Sequence, residues 1–128
     1  MSPTVRVLDA AKLMNQHKIG ALVVTHHGRV RGIFTERDVL RRVVAECRDP
    51  QDLRIESVMT DRVVTCRAET EIDEARSLFM TRRIRHLPVV DADDRLVGLI
   101  SIGDLNAWQL NGQECKIAAL EEYLYGVA

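Results

Sequence analysis

The stretch "GIFTERD" at 32–38 returns in outline as "GLISIGD" at 98–104, 66 positions later. Both read Gly-x-x-Thr/Ser-x-x-Asp. The likeness extends upstream. Residues 4–24 run parallel to residues 69–90, with Val7 matching Ile72, Ala10 matching Ala75, Leu13 matching Leu78 and Ile19 matching Ile84, all at a shift of 65. The shift becomes 66 only after the next turn, where "DADDRLVG" has one residue more than "HHGRVRG". A single insertion at a turn is what a duplicated fold tolerates. A chain of 128 residues therefore reads as two small repeats sharing a core rather than one unrepeated domain.

Each copy spells the same element order. Val7, Ala10, Ala11 and Met14 fall on one face of a helix, and Ile72, Ala75 and Phe79 do so in the second copy. The β-branched runs 21–24 and 87–90 predict short strands. Polar turns follow at His26-His27-Gly28 and at 91–94. Second strands are predicted over 30–34 and 96–100. A helix then starts at each Thr/Ser-x-x-Asp, continuing through Val39, Leu40, Val43 and Val44 in the first copy and through Leu105 and Trp108 in the second. "RVVTC" at 62–66 predicts an extra strand ahead of the second repeat. Its counterpart would precede Pro3, where only Met1 and Ser2 stand, so the first strand of repeat one is short or missing. Asp49-Pro50 ends the preceding helix. The expected organisation is repeat one over 1–48, a linker and repeat two over 49–110, and a C-terminal amphipathic helix over 111–128. Met14, Met59 and Met80 are expected to fill core.

Composition narrows the functional classes. The net charge of −1 gives no general pull toward nucleic acid or an anionic membrane. Of 18 basic residues only Lys12, Lys18 and Lys116 are lysine, and arginine forks suit phosphate and carboxylate. Cys47, Cys66 and Cys115 are odd in number and form no C-x-x-C pair, which argues against a disulfide framework or a zinc site. Free thiols and the lack of an apolar leader in "MSPTVRVLD" point to the cytoplasm.

The repeated signature has two readings. Thr-x-x-Asp ahead of an apolar helical run resembles a capping box, with hydroxyl and carboxylate satisfying backbone N–H groups. Yet both copies carry Asp where the box prefers Glu or Gln, and each follows a strand and a glycine. A helix start so placed suits an anion, and a carboxylate there can accept two hydrogen bonds from a ribose diol. The two readings are compatible.

Taken in order, "IGALVV", "GIFTERD", "VMTDRVVTC", "RIRHLPVVDADDRLVGLIS" and "GLISIGD" make residues 3–110 resemble a tandem pair of CBS domains, named after cystathionine β-synthase and together called a Bateman module. The resemblance implies an α+β fold of two βαββα-type repeats related by a pseudo-twofold axis, with small central sheets flanked by helices. It also implies two ligand clefts, dimerisation of modules into a disk, and a non-enzymatic role in sensing AMP, ADP, ATP, NAD or S-adenosylmethionine and regulating a protein partner. Carried over, the first cleft takes Thr35, Arg37 and Asp38 from repeat one and Thr60, Thr65, Ile84, Arg85, His86 and Pro88 from repeat two. Asp38 would hold the ribose, Thr35 the phosphate and Ile84 the adenine, with Arg37 and Arg85 offered to phosphate. The second, weaker cleft takes Ile19, Gly20, Ala21, Val23, Ser101 and Asp104, with no arginine beside its signature. Asp38→Ala is expected to weaken binding with the fold intact.

Other candidates are weaker. His86 reads equally as a structural histidine at a strand start. His26-His27 lacks further ligands at metal-binding spacing. "TRRIRH" at 81–86 has no interleaved aromatics and reads as a solvated face or phosphate rim. Ser101 lies in no nucleophile elbow. The alternative function is a dimerisation module whose clefts are degenerate and whose signatures only cap helices.

Overall fold

A computed structural model describes residues 1–110; the C-terminal amphipathic helix expected over 111–128, with Cys115, lies outside the described residues. The chain divides into two compact units, Met1–Val63 and a second beginning at Val64.

In the first unit, α1 (Val7–His17) leads into β1 (Ala21–His26) and β2 (Arg29–Thr35), an antiparallel pair with Ala21 opposite Thr35 and Val24 opposite Gly32. Val7, Ala10 and Met14 are the buried face of α1, as the spacing predicts, while Ala11 is half-buried. The hairpin turns through His27 and Gly28 at φ 54° and 79°, the paired left-handed conformations of a tight turn matched to strand twist. A three-residue helix, α2 (Glu36–Asp38), follows β2 without a break.

α2 does not continue as the α-helix the apolar spacing predicts. Val39–Val44 is a π-helix. Its wider turn shows in the N–H of Ala45 bonding to Leu40 O at 2.9 Å and that of Arg48 to Val43 O at 2.9 Å, both five residues back. Only Val43 of the four expected apolar residues is buried; Leu40 and Val44 are each 62 % exposed.

The segment 49–63 belongs to the first unit. Val7 N–H bonds to Leu53 O at 2.8 Å, Ile55 N–H to Val5 O at 2.9 Å, and Ile33 and Thr60 exchange both backbone bonds at 2.9 Å. Gly32 makes the last pairing possible: a Cβ there would lie 2.5 Å from Met59 Sδ and 2.9 Å from Thr60 O. Ile55 and Val58 complete this unit's core with Leu22, Val23 and Phe34.

The second unit repeats the pattern. α3 (Ile72–Arg82), β3 (His86–Val90), β4 (Leu96–Ser101) and α4 (Ile102–Leu110) occur in that order, with β3 and β4 antiparallel and Val89 opposite Gly98. Ile72, Ala75, Phe79, Leu87, Val89, Ile100 and Leu105 form its core. Met80 is 71 % exposed, so it does not fill core; it sits one step off the 72/75/79 face. Duplication reaches fine detail. α1 and α3 both end on a non-glycine residue in the left-handed region, Lys18 at φ 53° and Arg83 at φ 53°, each closing the helix with its own N–H. Both hairpins shift register at equivalent points, after Val24 and after Val89.

The extra strand expected over 62–66 is reduced to one residue. Cys66 makes a single parallel bridge to Val89, donating to Pro88 O at 3.0 Å and accepting from Val90 N–H at 2.9 Å. Met1 does the same work in the first unit: its ammonium donates to Val23 O at 3.1 Å and its carbonyl accepts from Thr25 N–H at 2.8 Å. One residue is enough to satisfy the outer edge of each hairpin there.

Candidate functional site

The first signature is built around the carboxylate of Asp38, which is 6 % exposed and the buried charged residue of the described chain. Thr35 ends β2 in an extended conformation and is the N-cap of α2. Its Oγ1 accepts from Asp38 N–H at 3.2 Å, and its own N–H donates to Asp38 Oδ2 at 3.0 Å, so the capping box is real. The threonine hydroxyl also lies 3.2 Å from Oδ2 as a donor.

The other carboxylate oxygen faces the segment 58–60. Thr60 Oγ1 donates to Asp38 Oδ1 at 3.2 Å, and Arg42 Nε lies 3.7 Å from the same atom. Arg42 Nη1 donates to Met59 O at 3.0 Å and Val58 O at 3.4 Å. Thr60, expected among the contributions of the second repeat, thus stands in the first unit beside Asp38. No local pattern signals Arg42's role, since the carbonyls it holds are sixteen and seventeen residues away. Arg37 is exposed on α2, on the same turn as Asp38.

Asp38 holds Thr35, Thr60 and the start of the helix together, so Asp38→Ala is expected to lower stability as well as to weaken binding. Removing a buried acceptor strands its donors.

In the second unit, Ser101 and Asp104 form the same reciprocal pair, Asp104 N–H to Ser101 Oγ at 3.1 Å and Ser101 N–H to Asp104 Oδ2 at 3.1 Å, but Asp104 is exposed. Thr65, Ile84 and His86 are half-buried, Pro88 is buried and Arg85 is exposed. Arg85 O accepts from Ile102 N–H at 3.1 Å, which anchors the start of α4. Gly20 O accepts from Glu36 N–H at 3.1 Å in the same way. Ala21 and Val23 are buried in β1, and Ile19 borders an open groove of about 490 Å³ in the first unit, between α1 and Glu36 and Val39. Among the described residues no group of His, Cys, Asp and Glu is arranged to hold a metal ion, and no helix is long and apolar enough to cross a membrane.

The CBS domain family model matches residues 1–45 and 55–111. The mitochondrial CBS domain-containing protein CBSX3 of Arabidopsis thaliana is 35% identical over 125 residues, 94% of this chain and 60% of that protein. YhcV of Bacillus subtilis is 34% identical over 118 residues, 92% of this chain and 83% of that protein. This chain therefore spans less than two thirds of CBSX3 and most of YhcV. Among solved structures, a protein with CBS domains from Burkholderia ambifaria superposes with a TM-score of 0.81 at 41% identity, covering 88% of this chain and 82% of that one. CBSX2 in complex with AMP matches at TM-score 0.76 and 25% identity, over 87% and 86% of the two chains. The CBS domain pair of protein MJ0100, in complex with 5-methylthioadenosine and S-adenosyl-L-methionine, matches at 0.76 and 25%, over 88% of each.

Proposed function

The chain belongs to the CBS domain family, and we propose that it is a non-enzymatic regulatory module that binds an adenosyl ligand through Asp38. The observation that carries this reading is the buried Asp38 carboxylate, held between the hydroxyls of Thr35 and Thr60 with Arg42 beside it. Adenosyl ligands in CBSX2 and MJ0100 support the ligand class. Asp38 accepts from the ribose diol, Thr35 meets phosphate, and Arg37, exposed on the same turn, offers a guanidinium fork to phosphate oxygens. The same reading assigns Thr65, Ile84, Arg85, His86 and Pro88 to ligand contacts. The signature at Ser101 and Asp104, with Ile19, Gly20, Ala21 and Val23, binds more weakly. AMP, ADP, ATP and NAD are the ligands in view. The bound ligand shifts the population of conformers that a protein partner recognises, and the module works as a cytoplasmic homodimer.

The test is a thermal-shift and calorimetric panel of AMP, ADP, ATP, NAD and S-adenosylmethionine, with guanosine nucleotides as controls. A saturable stabilisation by an adenosyl compound is expected. Asp38→Asn, which keeps one acceptor oxygen and removes the charge, should abolish it. No shift with any adenosyl compound would reject the reading. A second reading, an association module with degenerate clefts, is favoured by Leu40 and Val44, each 62 % exposed on one helical segment. It predicts an oligomer by light scattering with no ligand response.

A further inference from the structure

We propose that Arg42 is a positioning residue for the Asp38 site, an inference that rests on the adenosyl reading above. Three observations carry it. First, one guanidinium reaches three acceptors: Met59 O at 3.0 Å, Val58 O at 3.4 Å and Asp38 Oδ1 at 3.7 Å. Second, the chain that it clasps delivers Thr60, whose hydroxyl donates to that same Oδ1 at 3.2 Å. Third, Arg42 stands in the π-helical segment directly after α2. Such segments change the angular spacing of side chains along a helix. Here a side chain four positions beyond Asp38 meets both the carboxylate and the segment 58–59.

The network is a closed ring. Thr60 is seated by its backbone exchange with Ile33 and by the neighbouring carbonyls that Arg42 holds. Asp38 is oriented on one oxygen by Thr35 N–H and on the other by Thr60 and Arg42. A carboxylate that must accept from a diol gains from being fixed before the ligand arrives, because ordering it on binding would subtract from affinity. Arg42 touches the carboxylate only at ion-pair distance and acts through the fork that seats residues 58–60. Lysine can bring its one ammonium nitrogen to the two carbonyls that Nη1 holds, but it has no second nitrogen to keep beside Asp38 Oδ1 as Nε stands.

The experiment measures affinity for adenosine, AMP and ATP in the wild type, Arg42→Gln and Arg42→Lys, together with amide hydrogen exchange at Ile33 and Thr60 without ligand. Both variants should lose about tenfold in affinity, the worth of one net hydrogen bond of positioning. The loss should be equal for the three ligands, and exchange at Ile33 and Thr60 should accelerate. Full affinity in Arg42→Lys, or a loss that grows from adenosine to ATP, would show that charge alone matters and overturn the proposal. Unchanged exchange in Arg42→Gln would overturn it too, whatever the ligands do. Failure of the wild type to bind these three and also ADP, NAD and S-adenosylmethionine would instead defeat the adenosyl reading, with the exchange rates still deciding whether Arg42 seats residues 58–60.

Discussion

Replacing Gly32 by alanine should unseat the segment 58–60 without altering any polar side chain of the site. The added Cβ would stand 2.9 Å from Thr60 O and 2.5 Å from Met59 Sδ. The thioether can swing aside. The backbone oxygen cannot, because it accepts from Ile33 N–H at 2.9 Å and must stay to do so. Two outcomes are open to the chain: overpacking at about 1–3 kcal/mol, or loss of the two Ile33–Thr60 bonds at about 1 kcal/mol each. Alanine returns about 0.4–1 kcal/mol by restricting the unfolded chain. The net loss is then about 1–2 kcal/mol. Urea denaturation followed by circular dichroism measures it, and hydrogen exchange at Ile33 and Thr60 shows whether the bridge opens. Gly20→Ala is the control, since its nearest neighbour would be Glu36 Cδ at an ordinary 3.5 Å. A Gly32→Ala protein as stable as the Gly20→Ala control would refute the steric argument, and with it the account of why the signature begins with glycine.

Asp38→Ala should cost about 2 kcal/mol, because it removes a buried acceptor of the half-buried Thr35 and Thr60 as well as a cap, whereas Asp104→Ala, at an exposed cap, should cost about 1 kcal/mol or less; denaturation of the two variants compares them directly. Gly103→Ala should be neutral or stabilising by up to about 1 kcal/mol, since it lies in α4 and its Cβ would meet only Ser101 Oγ at 3.7 Å; a thermal melt checks this. Asp91 should titrate below its ordinary 3.8, chiefly because Arg95 N–H, and then Asp93 N–H, donate to it. A depressed carboxyl contributes stability that is present above 3.8 and lost as pH falls through the folded value. The turn between β3 and β4 should therefore loosen in that acid window, and Asp91→Asn, which keeps the acceptor oxygen, should remove the dependence in an NMR titration.

Local spacing made much of this fold legible. The helical faces Val7/Ala10/Met14 and Ile72/Ala75/Phe79, both hairpins and both capping pairs follow from periodicity and from the 65- and 66-residue shifts. Met80 could have been placed outside the core by the same periodicity, since it follows Phe79 by one residue on a helix. Other features are set by hydrogen bonds that leave no local trace. Val39, Leu40, Val43 and Val44 suit an α-helix as well as a π-helix, because the choice lies in which carbonyl each N–H finds. "RVVTC" has strand composition, yet only Cys66 has a neighbour to pair with.

Thr60 is the most instructive case. By alignment it stands ahead of the second copy, but its backbone pairs with Ile33 and its hydroxyl reaches Asp38. The two signatures are therefore alike in their caps and unlike in their surroundings. Thr35–Asp38 and Ser101–Asp104 exchange the same pair of bonds, while Asp38 is 6 % exposed and Asp104 lies open. A cap alone does not require burial, since an exposed carboxylate serves α4 equally well. What distinguishes the first copy is a threonine and an arginine added from beyond the motif, both directed at the carboxylate oxygen that Thr35 N–H leaves uncommitted. If that oxygen served only the helix, Thr60→Val and Arg42→Gln would change stability alone; if it serves a diol, both should change affinity for adenosyl ligands together.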